Sequence, residues 1–430
     1  MSNTVFPFFD DHALMALPSP KMTNADRVGV HAWFKEYAAF SESFASSVIE
    51  SLIVTKNEIV FDPFLGSGTS LVAASKLNLP FIGVELSQFS VLLSRTKVSY
   101  KADPKVVLSL LEGWPNLPSR FSPILAGTFS ESDLQYASSV ISKICEMTDK
   151  YGKYLLLDLT NNNDAMWDSV RVALLSIVLS ARYTSNLSKG SNPVWFRNTR
   201  TSEKEGTESL KYFAERFART ILADLKKYSS FIATQNIELY CCDARSIPIN
   251  NACFDILLTS PPYLNRLDYV INKLPEILIL SLIEDQDLDL LRKNMVGTTK
   301  IVEKGKPSTE WGPTCLGILD EIKNHSSRAS NTYYIWNYYK YFKDIFTIFK
   351  QIKRLARPNA RGILVVQNSH YKEIQIPVAK IFEEMSRGIG IEISEVKNIS
   401  VKSHMGLLCP KQRAYTSNKT LNEAVLHLQF

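Results

Sequence analysis

Two short stretches of the chain combine residue types that could bind a ligand and act on it chemically. The first, FDPFLGSGTS at 61–70, places Asp62 and Pro63 ahead of Gly66 and Gly68. Glycine lets the backbone turn tightly and approach a ligand closely. The stretch lacks the lysine of the G-x-x-x-x-G-K-S/T phosphate loop, and a carboxylate at position 62 would repel a pyrophosphate but attract a cation. The pattern therefore favours a pocket for a cationic nucleoside over one for a nucleoside triphosphate.

Two further acids stand where predicted strands end. Glu85 closes the apolar run PFIGVE, and it is placed to accept hydrogen bonds from both hydroxyls of a ribose. Asp243 follows the run NIELYCC and could accept a hydrogen bond from an adenine amino group. Each acid taken alone could equally be a helix cap or a solvated loop residue. Three acids at the same edge of a sheet favour the nucleoside pocket.

The second stretch, TSPPYLNRLDY at 259–269, has two successive prolines directly after the predicted buried strand CFDILL. Alone, it could be a turn in which the prolines end the hydrogen-bond ladder. Together with FDPFLGSGT it resembles the S-adenosylmethionine-dependent DNA methyltransferases that modify exocyclic amino groups. In that family a D/N/S-P-P-Y/F motif lies at the end of the fourth strand, beside the cofactor pocket. The matching residues here are Ser260, Pro261, Pro262 and Tyr263.

The resemblance implies S-adenosylmethionine as the cofactor and assigns residues to it. Glu85 resembles the acid that binds the ribose, and Asp243 the residue beside the adenine. The predicted helix at 39–52 is similar to the element that closes over the methionine end, with Phe40 as the expected contact. The cofactor loop corresponds to Asp62, Pro63, Phe64, Gly66, Ser67 and Gly68.

The resemblance also implies how the catalytic motif works. An exocyclic amino nitrogen is a poor nucleophile because its lone pair is delocalised into the ring. By analogy, Ser260 and the carbonyl of Pro261 would accept hydrogen bonds from the amino protons and free the lone pair. The two prolines would stiffen the loop, and Tyr263 would stack on a base rotated out of the duplex. No covalent enzyme intermediate is needed.

The serine of the motif predicts which base is modified. In this family S-P-P-Y/F usually accompanies methylation of cytosine N4, whereas D-P-P-Y/F and N-P-P-Y/F usually accompany adenine N6. We therefore predict cytosine N4. Adenine N6 remains the alternative, because a neutral hydroxyl accepts from either base. The expected partners are double-stranded DNA and a cognate restriction endonuclease or another defence-system subunit.

Two other functions remain open. An RNA methyltransferase that acts on a guanine amino group would share the sheet, the cofactor loop and a P-P-Y-type motif, although no RNA-binding module is recognisable in the sequence. A catalytically silent DNA-binding subunit is the second alternative. It would have no need for both the cofactor loop and Ser260.

The order of apolar segments predicts the elements that position these residues. The segments at 58–64, 70–77, 80–87 and 88–98 alternate between strand and helix patterns, which is how a doubly wound parallel sheet begins. We expect an α/β fold, a Rossmann-like class I methyltransferase with a mostly parallel sheet and large, mainly helical insertions. The predicted units are a first core segment at 1–100, a helical insertion for target recognition at 101–235, core strands with the catalytic motif at 236–263, a second insertion at 264–330 and the remaining core at 331–430.

Two segments mix basic and aromatic residues in a way that suits contacts to DNA phosphates and bases. The first lies at 181–204 and the second at 397–419. A solvated loop is the alternative for the first. The predicted DNA-binding residues are Arg182, Lys189, Arg197, Arg200, Lys402, Lys411 and Arg413.

The composition sets limits on the class of protein. The chain has 430 residues, of which 45% are hydrophobic and 21% charged, as in an ordinary globular protein. A net charge of +6 permits a polyanionic partner without requiring one. The six cysteines form no C-x-x-C pair and no metal-ligand spacing with histidine, so we expect reduced thiols and no metal. Without a signal peptide or a membrane-length apolar run, the prediction is a cytoplasmic protein. The family resemblance implies a bacterial or archaeal source.

Overall fold

The structure is a computed structural model, and it covers most of the chain. It describes residues 17–36, 39–114, 120–189, 196–197, 208–229, 236–264, 267–298, 300, 303–401 and 421–430.

The described segments contain both helices and strands throughout. The helices are α1 Glu42–Leu52, α2 Thr69–Lys76, α3 Gln88–Thr96, α4 Pro104–Glu112, α5 Pro123–Ala126, α6 Glu131–Thr148, α7 Gly152–Asn161, α8 Ala165–Thr184, α9 Leu210–Tyr228, α10 Tyr269–Asn272, α11 Leu274–Leu280, α12 Leu288–Asn294, α13 Pro313–Asn324, α14 Ile335–Leu355 and α15 Val378–Arg387. The strands are β1 Val60–Asp62, β2 Phe81–Glu85, β3 Ser188–Lys189, β4 Phe196–Arg197, β5 Ile237–Cys241, β6 Phe254–Thr259, β7 Ala356–Gln367, β8 Ser369–Tyr371, β9 Ile374–Ile376, β10 Glu392–Val401 and β11 Leu421–Gln429.

Seven of the described strands form one sheet in the order β5-β2-β1-β6-β7-β11-β10. The first five are parallel to one another, and β11 runs antiparallel to both of its neighbours. The parallel strands follow the order of a doubly wound fold, in which the direction of winding reverses between β1 and β6. The predicted fold class is confirmed, and ligands of such folds bind outside the carboxyl ends of the strands at this reversal.

The central strands are largely buried because helices cover both faces of the sheet. All three residues of β1 are buried, as are the first four of β2. One face packs against α13, α14 and α15 and the other against α1 and α2. Aromatic side chains of α14, including Tyr341 and Phe342, are buried in the core.

The described helices between α3 and β5 form a helical layer around α8. Residues 167–181 of α8 are all buried, packed against α3, α4, α9 and α11. The buried guanidinium of Arg171 is paired with Asp168 at 2.7 Å, so it is not left uncompensated. Among the described residues, no helix combines the length and hydropathy needed to cross a bilayer.

The second inserted segment consists of short helices and loops in its described part. It contains the short helices α10, α11, α12 and α13, between 269 and 324. Helices of four to twelve residues give weak periodic patterns and depend on tertiary packing for their stability. α11 illustrates this, because it lies buried against α8 of the first insertion. The functional boundaries proposed for the two insertions stay predictions.

Candidate active site

A cavity lies at the carboxyl ends of the parallel strands, where the winding of the sheet reverses. Asp62 ends β1, Glu85 ends β2, Asp243 follows β5 and Ser260 follows β6, and all four line the cavity. Their shared location follows from the topology, because parallel strands bring their carboxyl ends to the same edge of a sheet. The other predicted site residues in the wall are Phe40, Pro63, Phe64, Gly66, Ser67, Pro261 and Pro262.

The cofactor loop is held in shape by its glycines and by helix α3. Gly66 and Gly68 have φ of +52° and +78°, a left-handed conformation that side chains disfavour. Ser94 Oγ donates a hydrogen bond to the Gly66 carbonyl at 3.0 Å, and Lys97 Nζ donates to the Ser67 carbonyl at 2.6 Å. Burial lowers the pKa of Lys97 to about 7. Two successive carbonyls are therefore fixed from outside the cavity.

Asp62 anchors the start of this loop. Its carboxylate accepts hydrogen bonds from Ser70 Oγ at 2.6 Å, Thr259 Oγ1 at 2.7 Å and the Phe64 amide at 3.0 Å. Burial outweighs these bonds and raises the pKa of Asp62 to about 6. One acid thus joins β1, α2 and β6, and it brings a titratable charge to the wall of the cavity. The hydrogen bond from Thr259, which belongs to the stretch 259–269 with the catalytic motif, could not be predicted from the sequence.

Glu85 lies across the loop from Asp62. Its Oε2 accepts from the Gly66 amide at 3.0 Å and its Oε1 from the Ser87 amide at 2.9 Å. Burial raises the pKa of Glu85, and the positive charge of Lys273 opposes the rise. A carboxylate has about four lone-pair sites, so both oxygens can still accept from a ligand. Its role with the ribose stays a prediction.

Asp243 is paired with a cation that the sequence reading missed. Arg245 Nε lies 3.0 Å from Asp243 Oδ1, and Arg245 Nη2 lies 2.5 Å from Oδ2. The same guanidinium reaches Asp344 of α14 at 2.8 Å. This double pairing raises the pKa of Arg245. An arginine two positions after the acid was a visible signal, but its second partner on α14 was not.

The catalytic motif is held by β7 and α14. Ser260 Oγ donates to the Val365 carbonyl at 3.1 Å, which uses its one proton and leaves its lone pairs as acceptors. Tyr341 OH donates to the Pro262 carbonyl at 3.0 Å, and Ser369 Oγ donates to the Leu264 carbonyl at 2.7 Å. The contact from Tyr341 was not foreseen, because Tyr341 lies 79 positions after Pro262 in the chain.

Tyr263 is the predicted catalytic residue that the structure does not bring into the cavity wall. Its side chain is nearly buried, and its hydroxyl lies 3.4 Å from Glu423 Oε1 on β11. Burial raises the pKa of Tyr263. Tyr269 lines the cavity instead. Stacking of Tyr263 on a target base therefore stays a prediction. Gly68 is likewise outside the wall and contacts Ser94 from behind the loop.

Arg182, one of the predicted DNA-binding residues, contacts other side chains of the protein. Its Nε lies 2.6 Å from Glu276 Oε1, and its guanidinium stacks over Phe34 at 4.8 Å. The structure thus gives Arg182 internal partners instead of leaving it open to a phosphate. The side chains of Lys189 and Arg197, in β3 and β4, are not described. The residues outside the described segments are Arg200, Lys402, Lys411 and Arg413.

The cavity fits S-adenosylmethionine in charge. The cofactor is cationic at sulfur, and four carboxylates, Glu36, Asp62, Glu85 and Asp243, line the cavity. One buried acceptor in the wall, Glu36 Oε2, has no hydrogen-bond donor within the protein. The described residues contain no cluster of histidine, cysteine and acidic side chains arranged to hold a metal ion.

Comparisons with known proteins agree with this geometry. The sequence model of a family described as DNA methylase, N6_N4_Mtase, matches residues 17–95, which include the cofactor loop. The Type II methyltransferase M.BsoBI of Geobacillus stearothermophilus is 22% identical over 88% of this chain and 81% of its own length. The Type II methyltransferase M.AvaI of Nostoc is 23% identical over 85% of this chain and 80% of its own length.

A solved rRNA methyltransferase, aviRa from Streptomyces viridochromogenes, overlaps 94% of this chain and 92% of its own, with 9% identity. Its TM-score of 0.30 is too low to support an argument, so the fold class rests on the sheet itself. The family and the Type II relatives confirm the resemblance to amino-group methyltransferases of the N4/N6 family, and S-adenosylmethionine is the methyl donor. The choice between cytosine N4 and adenine N6 stays a prediction.

Proposed function

We propose that this chain, a DNA methyltransferase by its family resemblance, transfers a methyl group to cytosine N4 in double-stranded DNA within a restriction–modification system. The observation that carries the proposal is the hydrogen bond from Ser260 Oγ to the Val365 carbonyl at 3.1 Å, in the cavity that also holds the cofactor loop. It makes Ser260 an acceptor with a fixed orientation. An acceptor is what an amino group requires.

The mechanism assigns separate tasks to the two motifs. S-adenosylmethionine supplies an electrophilic methyl group when bound. Asp62 and Glu85 would hold and orient that cofactor, and Asp243 would lie beside its adenine. Ser260 Oγ and the Pro261 carbonyl would accept hydrogen bonds from the amino group, so that the nitrogen lone pair turns toward the methyl group. Methyl transfer would leave S-adenosylhomocysteine, and the methylated amino group would release one proton to water. The target base has to leave the duplex to reach this position, because the cavity opens at the edge of a folded sheet.

The setting of the reaction is part of the proposal. The relatives named Type II methyltransferases come from bacteria, which supports a cytoplasmic enzyme of a bacterium or archaeon that works beside a cognate restriction endonuclease. We assign target recognition first to residues 101–235 and then to 264–330. The packing of α11 against α8 supports a joint contribution of the two segments.

Nucleoside mass spectrometry of unmethylated plasmid DNA, after incubation with protein and S-adenosylmethionine, tests the proposal. We expect N4-methylcytosine. N6-methyladenine would keep the mechanism and overturn the base assignment. Methyl groups in transfer RNA and none in DNA would favour the guanine-amino alternative. Binding of DNA without methylation of either nucleic acid would favour the silent subunit.

Ser260→Ala tests the role of the serine itself. We expect methylation to fall by about 10²-fold, with S-adenosylmethionine affinity unchanged. Ser369→Ala is the matched control, because its hydroxyl also holds the loop but does not line the cavity. Equal losses in the two variants would contradict a catalytic role for Ser260.

A further inference from the structure

A buried ion pair in the cavity wall is used by none of the roles assigned above. Glu36 Oε2 lies 2.9 Å from Lys273 Nζ. The two residues are 7% and 4% exposed, and both line the cavity. Glu36 belongs to the segment before α1, and Lys273 stands between α10 and α11. Two distant parts of the chain therefore place opposite charges next to the cofactor loop.

This pair is incomplete as a structural contact. Two buried charges lose their hydration, and the loss is recovered only when hydrogen bonds satisfy their remaining atoms. Lys273 Nζ donates a hydrogen bond to Ser90 Oγ at 2.8 Å, so one of its three donors has a described acceptor. Glu36 Oε2 contacts Lys273 at an angle unsuited to a hydrogen bond and has no donor. A buried acceptor left open in a cavity points to a ligand that supplies the donor.

The position of the pair indicates which part of a ligand it meets. Lys273 lowers and Glu36 raises the pKa of Glu85, so both charges lie close to the predicted ribose acid. Glu36 also acts on Lys97, which binds the Ser67 carbonyl, so Glu36 lies on the side of the cofactor loop. With adenine and ribose assigned to Asp243 and Glu85, the amino-acid end of the cofactor remains. It carries one ammonium and one carboxylate.

We propose that Glu36 accepts a hydrogen bond from the α-ammonium of S-adenosylmethionine and that Lys273 donates one to its α-carboxylate. The inference rests on the proposed function only in taking this cavity as the cofactor site. It adds two charged contacts to the apolar contact predicted for Phe40, which also lines the cavity. A zwitterion matches the pair better than a neutral group, because each charge meets its opposite.

Calorimetric binding to the full-length protein tests the proposal with two ligands. S-adenosylhomocysteine has the amino-acid end, whereas 5′-methylthioadenosine keeps adenine and ribose but lacks that end. We expect Glu36→Gln and Lys273→Gln each to lower the affinity for S-adenosylhomocysteine by at least about tenfold. The affinity for 5′-methylthioadenosine should stay within about twofold of wild type, which also shows that the variants are folded.

Asp289→Asn and Lys293→Gln are the matched controls. They remove the same charges from an exposed pair on α12 with a 2.6 Å contact and should leave both affinities unchanged. Decarboxylated S-adenosylmethionine separates the two roles. Its binding should weaken with Glu36→Gln and stay unchanged with Lys273→Gln.

The outcomes distinguish this inference from the proposed function. Equal losses for both ligands, or no loss for S-adenosylhomocysteine, would overturn the inference and leave the cofactor site intact. If the wild-type protein bound neither ligand, the cofactor site and the proposed function would both be wrong. Lys273→Arg keeps the charge and should recover part of the affinity. Failure to recover any would count against a contact with the carboxylate.

Discussion

The carboxylate of Asp62 changes its charge within an ordinary experimental pH range. Its pKa is raised to about 6 from the ordinary value of 3.8 because burial outweighs three hydrogen bonds. The carboxylate is therefore charged at neutral pH and becomes neutral as the pH falls through this value. An attraction to a cationic sulfonium exists only in the charged form.

We predict that this titration affects the methylated cofactor more than its product. S-adenosylmethionine is cationic at sulfur, whereas S-adenosylhomocysteine is neutral there and otherwise alike. The affinity for S-adenosylmethionine divided by that for S-adenosylhomocysteine should rise as the pH increases from about 5 to about 8. The midpoint of the rise should lie near the pKa of Asp62. Calorimetry at a series of pH values measures the ratio. Asp62→Asn should remove the pH dependence, and a ratio that stayed constant in the wild type would contradict the prediction.

Single residues were foreseen where strand ends fixed their location. Asp62, Glu85 and Asp243 each follow an apolar run, and the rule for parallel sheets brings them to one cavity. Glu36 and Lys273 were missed because their contact joins segments that no periodic pattern relates. Residues whose partners come from distant elements need the packed structure to be seen.

At the scale of elements, the cofactor loop depends on two glycines that differ in their surroundings. Both have positive φ, so a side chain at either is strained by about 1–2 kcal/mol. A Cβ at Gly66 would have Phe64 O as its near neighbour, at 3.7 Å. A Cβ at Gly68 would lie 2.7 Å from Ser94 Cβ and 3.0 Å from Ser94 Cα. The second clash involves the helix itself and cannot be relieved by a rotamer change.

We therefore predict that Gly68→Ala destabilises the folded protein more than Gly66→Ala does. Gly66→Ala should lower the free energy of unfolding by about the strain alone. Gly68→Ala should lower the free energy of unfolding further. It should also lower the affinity for S-adenosylmethionine, since α3 would be pushed away from the loop. Thermal unfolding and calorimetry compare the two variants. Similar losses in both would mean that the contact with α3 does not control the loop.

The two insertions are joined by a contact between α8 and α11. Arg182 of α8 pairs with Glu276 of α11, whose side chain is 0% exposed. Arg182→Ala should lower the free energy of unfolding by about 3–5 kcal/mol, because it leaves a buried carboxylate without its cation. Arg219→Ala, which breaks an exposed pair on α9, should cost less than about 1 kcal/mol. Weaker DNA binding with unchanged stability would instead support the contact expected from the sequence.

The elements themselves were largely predictable, for reasons that also explain the exceptions. Apolar runs and helical spacing predicted the strands β1, β2, β5 and β6 and the helices α2 and α3. The hairpin of β8 and β9 and the helices α10 to α13 were not foreseen. They are short, and their residues are ordered mainly by contacts with other parts of the chain.

At the scale of the whole molecule, the sheet topology says where DNA contacts can begin. β10 runs parallel to β7, since both are antiparallel to β11. The carboxyl end of β10 therefore lies at the edge of the sheet that bears the cavity. β10 ends at Val401 and the described chain resumes with β11 at Leu421, so residues 402–420 lie outside the described segments. Their sequence has Lys402, Lys411 and Arg413 and no acidic residue.

We predict that these three cations bind DNA phosphates beside the catalytic edge. Replacing all three by glutamine should reduce the slope of log affinity against log salt by roughly 2–3. The affinity for S-adenosylmethionine should not change. A matched triple, Lys56→Gln, Lys226→Gln and Lys227→Gln, removes the same charge from exposed residues shortly before β1 and β5, at the opposite edge. It should leave the slope unaltered.

The comparison between the two triples separates a local contact from the general effect of net charge. Binding measured over a range of salt concentrations with one short duplex gives both slopes. If the triples lowered the slope equally, net charge alone would account for the effect, and the segment after β10 would not be a contact. The same replacement at Lys189, Arg197 and Arg200 tests the first insertion. A larger decrease there would move DNA recognition to the helical layer around α8.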